Sequence, residues 1–193
     1  MSGIRKFDEQ QLLGTVLDLF WKNGWQATSL NDISKETGIQ RGSLYNAYKG
    51  KDELFLLAYD IYIERFIKSV ESNMVGDTLK DIINGLFKAA IDNMTGGEKP
   101  KGCLTTKILI EIDLTNELIQ GKISSFVTDM TEIITLILSN PKFVDELRLP
   151  PKDAAELIFT FLRGIAVMEK HHKDPKKLLS ICDSLVSVIV VDI

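Results

Sequence analysis

The 193-residue sequence contains only two cysteines, Cys103 and Cys182, and so lacks the disulfide framework of a small secreted protein. We therefore expect a reducing, cytoplasmic compartment. No uncharged apolar stretch approaches the roughly 20 residues that a membrane-spanning helix needs. The N-terminal segment MSGIRKFDEQ lacks the apolar region of a signal peptide. With five prolines and 13 glycines, the chain is neither collagen-like nor of low complexity.

Charge is unevenly distributed along a chain whose composition is otherwise typical of globular proteins. Hydrophobic residues make up 45% and charged residues 26%, and the formal net charge is -4. Residues 1–51 carry seven Lys/Arg against five Asp/Glu, whereas the remaining residues are acidic overall. This asymmetry is typical of a small nucleic-acid-binding module joined to an acidic domain, although many acidic enzymes share it.

Hydrophobic periodicity predicts an all-α fold of about nine helices. In the first helix, the apolar residues that recur at i, i+3, i+4 and i+7 are Leu13, Val16, Leu17 and Phe20. The β-branched stretch from Leu185 to Val191 is also predicted helical, because a single strand without a partner cannot form a sheet. The predicted helices cover residues 8–23, 29–37, 40–48, 52–73, 78–94, 102–114, 116–138, 153–171 and 175–191.

The second and third predicted helices are short and are joined by a tight turn. Ser29 and Asp32 form a capping signal that begins the second helix, and Gly38 ends it. Two short helices joined by a glycine-containing turn are typical of a helix-turn-helix. Ordinary helical bundles contain similar corners, so the spacing alone does not establish DNA binding.

The exposed face of the third helix is predicted to present hydrogen-bonding side chains around a glycine. In a helix-turn-helix, the N-terminal residues of the second helix reach base edges in the major groove. Arg41 is suited to reading guanine, and Gln40 or Asn46 to reading adenine. The predicted face comprises Gln40, Arg41, Gly42, Ser43, Tyr45 and Asn46. The alternative is that Arg41 is a solvated surface residue and that the tyrosines simply pack.

Lys51 lies at the N-terminus of the fourth predicted helix, where the helix dipole disfavours a cation by roughly 0.3–1 kcal/mol. A phosphate bound at that helix end would reverse the sign of this effect. Lys51 is therefore a candidate phosphate contact.

This region resembles the N-terminal domain of the TetR/AcrR family of bacterial transcriptional regulators over about residues 8–60. The resemblance rests on the segments TSLNDI (28–33), GI (38–39), RGSLYNAY (41–48) and KDELF (51–55). It implies a homodimeric repressor that a small-molecule effector releases from a palindromic operator. The implied domains are a helix-turn-helix domain at 1–50, a connecting helix at 51–73, and a ligand-binding and dimerisation domain at 74–193.

The resemblance also implies individual DNA contacts, carried over by position. These are phosphate contacts from Thr28 and Lys51, groove contacts from Gln40, Arg41, Gly42 and Ser43, and backbone-phosphate and packing roles for Tyr45 and Tyr48. Two positions depart from the family pattern. Gln40 stands where many members have a capping Ser or Thr, and Gln caps poorly. Ala47 stands where many members have His.

No set of residues in the body is arranged for catalysis, and we expect neither an enzyme nor a cofactor nor a metal. A helical hydrolase or transferase would need a nucleophile beside a base, and the sequence suggests no such pair. His171 and His172 are adjacent, so they do not face the same way on a helix. A structural adaptor whose head binds protein is a second alternative, which a gel shift with genomic DNA fragments would distinguish.

An effector pocket is predicted between the fourth and eighth helices. Its candidate lining residues are aromatic, Met and Cys side chains, which line adaptable apolar pockets but also form ordinary core. They are Phe66, Phe87, Met94, Cys103, Phe126, Met130, Phe161 and Met168. We expect an apolar or aromatic effector.

Cys103 follows a glycine-rich loop and is predicted to begin a short apolar helix. The helix N-terminus and the neighbouring Lys101 would lower the pKa of its thiol and favour a reactive thiolate. One hypothesis is that modification of Cys103 releases the operator. The alternative is that Cys103 only lines the pocket, and a noncovalent ligand does the switching.

The two C-terminal helices are predicted to form a homodimer through residues 153–191. The last helix is apolar on more of its circumference than one core contact requires, with Leu185, Val188 and Ile189 among its residues. Packing both helices against their symmetry mates would form a four-helix bundle with C2 symmetry.

Overall fold

The computed structural model describes residues 8–96 and 100–191, and it confirms the all-α prediction for these ranges. None of the helices described there combines the length and the apolar character that crossing a bilayer requires. The α-helices are α1 Glu9–Asn23, α2 Leu30–Thr37, α3 Arg41–Tyr48, α4 Lys51–Asn73, α5 Leu79–Thr95, α6 Leu104–Ile110, α7 Glu117–Leu138, α8 Pro151–His172 and α9 Pro175–Ile189, with 3₁₀ helices at Ile112–Leu114 and Val144–Glu146.

The described residues form two compact units. Unit 1 comprises residues 8–64 and 107–123, and unit 2 comprises residues 65–96, 100–106 and 124–191. Residues 107–123 therefore group with the N-terminal helices. The division into a head at 1–50, a connecting helix at 51–73 and a body at 74–193 follows other boundaries and stays a prediction.

Side chains at the helix starts satisfy amides that have no partner within the helix. The Asp8 carboxylate accepts hydrogen bonds from the amides of Gln10 and Gln11 at the start of α1. Ser29 and Asp32 form a complete capping box at the start of α2, as predicted.

Aromatic side chains dominate the core of unit 1. Phe20 of α1 and Phe55 of α4 are fully buried and meet edge to face, with 5.1 Å between ring centroids. Trp21 and Tyr62 meet in the same way at 4.9 Å. Edge-to-face pairs are a favourable arrangement of aromatic rings, so they fix how α1 packs on the first part of α4.

Helix α5 packs against α8 and α9 within unit 2. A capping box of Thr78 and Asp81 begins α5. Gly85 allows the chain leaving α4 to pass close by, because a Cβ at this position would overlap the carbonyl oxygen of Asn73. Only glycine fits there without a shift of the backbone.

Two predicted helices end earlier than their sequence patterns indicate. The helix predicted over 102–114 is divided into α6 and a 3₁₀ helix, because the backbone at Glu111 has φ -97° and ψ 7° and leaves α-helical geometry. α9 ends at Ile189, where Val190 becomes extended and pairs with Leu147 in an isolated antiparallel bridge. The β-branched Val190 favours this extended backbone.

Candidate nucleic-acid interface

The turn between α2 and α3 is fixed by a glycine and by side-chain hydrogen bonds. Gly38 has φ 70° and ψ 3°, a left-handed conformation that glycine adopts without strain. The Ser34 hydroxyl donates to the carbonyl oxygen of Ile39 at 2.7 Å. The Thr37 hydroxyl donates to the carbonyl oxygen of Ile33 at 2.7 Å and accepts from the amide of Ile39 at 3.3 Å. These contacts give α3 a defined orientation on α2.

One side of α3 is anchored and the other is open. Leu44 of α3 is fully buried, as is Ile33 of α2. A Cβ at Gly42 would meet no atom within 4 Å, so the backbone there is open to an approaching surface. All the residues of the predicted base-reading face are exposed, namely Gln40, Arg41, Gly42, Ser43, Tyr45 and Asn46.

The N-terminus of α3 has no side-chain cap. Gln40 occupies the N-cap position and makes no side-chain hydrogen bond to the helix, in line with the poor capping tendency of glutamine. Its carbonyl oxygen accepts hydrogen bonds from the amides of Ser43 and Leu44. Uncapped amides at a helix N-terminus are the groups that hold a phosphate.

Two predicted DNA-contacting residues have their side chains inside unit 1. Thr28 is 1% exposed, and its hydroxyl donates to the carbonyl oxygen of Gly24 at 2.7 Å. Tyr48 is also 1% exposed, and its hydroxyl donates to the Glu9 carboxylate at 3.0 Å. The packing role expected for Tyr48 is therefore present, and the phosphate contacts of both residues stay predictions.

The Lys51 side chain binds the backbone of the turn between α1 and α2. Its Nζ donates to the carbonyl oxygens of Trp25 and Thr28 at 2.9 and 3.1 Å, and it lies 3.7 Å from the centroid of the Trp25 ring. Burial lowers the pKa of the Lys51 ammonium, while the charges of Asp52 and Glu111 act in the opposite direction. These contacts offset the unfavourable helix dipole without any phosphate, so the predicted phosphate contact of Lys51 stays a prediction.

Glu111 holds the same turn from the segment that follows α6. Its carboxylate accepts hydrogen bonds from the amides of Trp25 and Gln26 at 2.8 and 2.9 Å. Gly24 makes room for it, because a Cβ at this position would lie within van der Waals overlap of the Glu111 carboxylate. The backbone of Gly24, with φ 85° and ψ 178°, is one that only glycine adopts readily.

A second carboxylate completes the support of this turn. Asp52 accepts from the indole N–H of Trp25 at 3.0 Å and from the Asn116 side-chain amide at 2.6 Å. We call Lys51, Asp52, Glu111 and Asn116 the turn clamp. The sequence pattern did not indicate the turn clamp. Glu111 lies 86 positions from Trp25, and its neighbours in the sequence are the same as those of an acidic residue on an exposed helix surface.

Most of the predicted effector-pocket residues lie in the interior of unit 2. Within it, Phe66 meets Phe126 and Phe87 meets Phe161, with ring centroids 6.3 and 6.0 Å apart. Met94, Cys103 and Met130 are also buried. Met168 differs, because it is 43% exposed on α8. The pocket assignment stays a prediction.

The described residues contain no group of three or more His, Cys, Asp or Glu side chains that could hold a metal ion. His171 and His172 lie at the end of α8 with ring centroids 5.0 Å apart.

Burial, reinforced by the neighbouring Asp183, raises the pKa of the Cys182 thiol to about 12. Cys182 is therefore a protonated core residue.

The sequence matches known regulators in the region that forms this interface. The profile of the family described as bacterial regulatory proteins, tetR family, matches residues 12–58. The HTH-type transcriptional repressor ComR of Escherichia coli is 31% identical over 99 residues, which cover 50% of this chain and 47% of ComR. The uncharacterized HTH-type regulator YezE of Bacillus subtilis is 30% identical over 112 residues, 58% of each protein. The chain thus spans about half the length of these curated relatives.

A similarity of fold extends over nearly the whole chain. A cysteine-substituted variant of the TetR-family regulator CifR, solved with 26-base-pair operator DNA, superposes with a TM-score of 0.79 at 20% identity. The match covers 96% of this chain and 98% of that one. At this identity the similarity establishes the fold.

Proposed function

We propose that this chain, a DNA-binding transcriptional regulator of the TetR family, is a homodimeric cytoplasmic repressor that a small-molecule effector releases from an inverted-repeat operator. The observation that carries the proposal is the exposed polar face of α3 on a buried, hydrogen-bonded support. In this function Arg41 reads a guanine and Gln40 or Asn46 reads an adenine in the major groove.

The C-terminal helices supply the surface for dimerisation. Leu157, Val167 and Met168 of α8 and Val188 of α9 are exposed to between 39% and 66%. Leu157 and Met168 are eleven positions apart, close to three full helical turns, and so lie on the same face of α8. Apolar side chains at such exposure favour burial against a second copy, and an isologous contact presents two α3 helices to DNA.

Helix α6 offers a route from the effector to the DNA-binding helices. Its first residues, Leu104 to Thr106, belong to the interior of unit 2, and Glu111 of the turn clamp follows its last residue. An effector that shifts the start of α6 would also shift Glu111, because both are joined by less than two helical turns of backbone. Release of the operator then follows from a displaced α1–α2 turn.

Selection of bound sequences from random DNA tests this function directly. We expect an inverted repeat, because a C2 dimer presents two recognition helices. Lys51→Ala should weaken binding to all sequences and reduce the salt slope by about one if Lys51 contacts a phosphate. A non-palindromic site would contradict the dimeric repressor, whereas no enriched sequence would leave the adaptor as the better interpretation.

A further inference from the structure

Arg163 of α8 is a charged side chain whose surroundings in unit 2 supply no anion. Its guanidinium donates from Nη1 to the sulfur of Cys103 at 3.4 Å, and its Cζ lies 4.5 Å from the centroid of the Phe159 ring. Its Nε is buried and has no hydrogen-bond partner. None of the ion pairs found in the described ranges includes Arg163.

These contacts compensate the charge of Arg163 poorly. A thiol sulfur is a weak acceptor, and a phenyl ring attracts a cation far less than a carboxylate does. Arg163 as a whole is partly exposed, but its Nε has lost water without gaining a hydrogen-bonded partner, which is destabilising. The site therefore favours a bound group that is negatively charged and accepts more than one hydrogen bond.

A second unpaired polar atom belongs to Thr106, near Cys103 in the sequence. Thr106 is 8% exposed, and its hydroxyl has no hydrogen-bond partner. It lies in the first turn of α6, three positions after the Cys103 that contacts Arg163. A hydroxyl can donate to a carboxylate, so Thr106 and Arg163 lack the same kind of partner.

We propose that Arg163 and Thr106 bind the carboxylate of a small organic anion whose remaining part is apolar. Arg163 offers Nε and an Nη in the parallel geometry that matches two carboxylate oxygens. Phe87, Phe159 and Phe161 supply apolar surface in the same unit. The inference rests on the proposed function, because this anion is the effector that acts on α6.

Two acidic groups of the chain itself are the competing partners for Arg163. Glu169 is 4% exposed, and its Oε2 lies 3.8 Å from where a Cβ on Gly102 would be. It is six positions after Arg163, about 9 Å along the α8 axis, and forms no ion pair with it. The other candidate is the Cys103 sulfur, which would satisfy Arg163 as a thiolate.

The first experiment measures the ligand-free protein. Arg163→Met should raise the midpoint of thermal unfolding, because it removes an uncompensated charge while keeping most of the side-chain volume. The control is Arg65→Met, which changes an exposed arginine of α4 and should leave the midpoint unchanged. A lowered midpoint in Arg163→Met would overturn the proposal. So would a thiolate ultraviolet absorbance at neutral pH in the wild type that Arg163→Met removes.

The second experiment measures binding by calorimetry with two matched pairs of probes, octanoate beside octanamide and benzoate beside benzamide. In at least one pair, the wild type and Arg65→Met should bind the carboxylate about 10- to 100-fold more tightly than the amide. This ratio should fall to about one in Arg163→Met and to an intermediate value in Thr106→Val. Equal affinity for carboxylate and amide in both pairs would overturn the proposal.

A gel shift with the selected operator separates this inference from the proposed function. Release of the wild type by the carboxylate, with Arg163→Met still bound, supports both. A carboxylate that binds through Arg163 and leaves the operator complex intact overturns its role as effector. Failure to select any operator contradicts the repressor alone, because the calorimetric ratio is measured without DNA.

Discussion

Unit 1 and unit 2 differ in whether particular polar side chains find hydrogen-bond partners. In unit 1, the turn clamp pairs each of its carboxylates with two donors and its lysine with two carbonyl oxygens. In unit 2, Thr106 and Arg163 hold the buried side-chain atoms of the described ranges that have no hydrogen-bond partner. This contrast fits the two proposed roles, because DNA binding requires α2 and α3 to be held in place, whereas unpaired donors are available to a bound ligand.

The difference extends to backbone geometry. The turn before α2 uses a backbone conformation at Gly24 that only glycine adopts readily, and the Glu111 carboxylate occupies the space where a side chain would lie. The position of α2 is therefore fixed by several contacts at once, and weakening one of them should affect the proposed DNA binding before it affects the proposed ligand binding.

The largest expected effect comes from breaking the proposed dimer through a change in unit 2. Val188→Asp places a charge on an exposed apolar position of α9, so the protomer should stay folded while the proposed interface is lost. Because two half-sites are no longer bound together, operator affinity should fall by about 10²- to 10⁴-fold. Light scattering gives the oligomeric state, and circular dichroism gives the fold.

Val75→Asp is the matched control for this change. Val75 is 65% exposed and Val188 is 66% exposed, but Val75 lies between α4 and α5. The control should remain dimeric. A fully dimeric Val188→Asp would show that α9 does not form the interface.

The next largest effect disrupts the α1–α2 turn. Gly24→Ala should lower the free energy of unfolding by about 3–5 kcal/mol, because it combines a strained backbone with loss of the Glu111 hydrogen bonds. Urea denaturation measures the change, and operator affinity should fall while the affinity for the carboxylate probe that binds the wild type is kept. Gly14→Ala is the control, since its Cβ would meet no atom within 4 Å and helix propensity favours alanine.

Glu111→Ala checks the physical reason for that prediction. It removes the same acceptor without straining the backbone, so it should reproduce only the hydrogen-bond part of the Gly24→Ala effect. If Glu111→Ala leaves both stability and operator affinity unchanged, the turn clamp has no role in holding the DNA-binding helices.

The sequence predicted the features that depend on local patterns. The capping box at Ser29, the left-handed Gly38 and the exposed face of α3 all follow from residue type and short spacing. The same reasoning predicted helix α9 through its β-branched stretch, apart from its last residues. Such features need only neighbours within a few positions, and these are visible in the sequence.

Contacts between distant segments could not be predicted in this way. Glu111 lies in the segment predicted as one helix over 102–114, and nothing in that pattern indicated that it binds two amides 85 and 86 positions away. Thr28 and Lys51 bond within the turn that precedes α2, which the sequence did not indicate, and their phosphate contacts stay predictions. The unpaired atoms of Arg163 and Thr106 are equally invisible to periodicity, because burial without a partner depends on tertiary packing.

A smaller effect concerns base reading by α3. Arg41→Ala should weaken operator binding by about 1–3 kcal/mol and relax the preference at one base position of each half-site. The free energy of unfolding of the Arg41→Ala variant should not change, since the Arg41 side chain is exposed. Gel shifts on operators substituted at each position measure both quantities. Unchanged base preference would mean that Arg41 does not read a base.

The smallest expected effect compares the two capping boxes as pH falls. Hydrogen bonds from the side chain and amide of Ser29 lower the pKa of Asp32 below its ordinary 3.8, and those of Thr78 do the same for Asp81. A depressed carboxyl pKa gives stability that is complete above the unfolded-state value and is lost as pH falls through the folded-state value. Asp32→Asn and Asp81→Asn should therefore be less stable than the wild type near neutral pH and approach it as the pH falls below 3.8. Near neutral pH, only Asp32→Asn should also weaken operator binding, because its capping box begins α2 in unit 1 whereas that of Asp81 begins α5 in unit 2. Urea denaturation across this pH range and a gel shift near neutral pH measure the two effects, and equal loss of operator affinity in both variants would contradict the separation of the units.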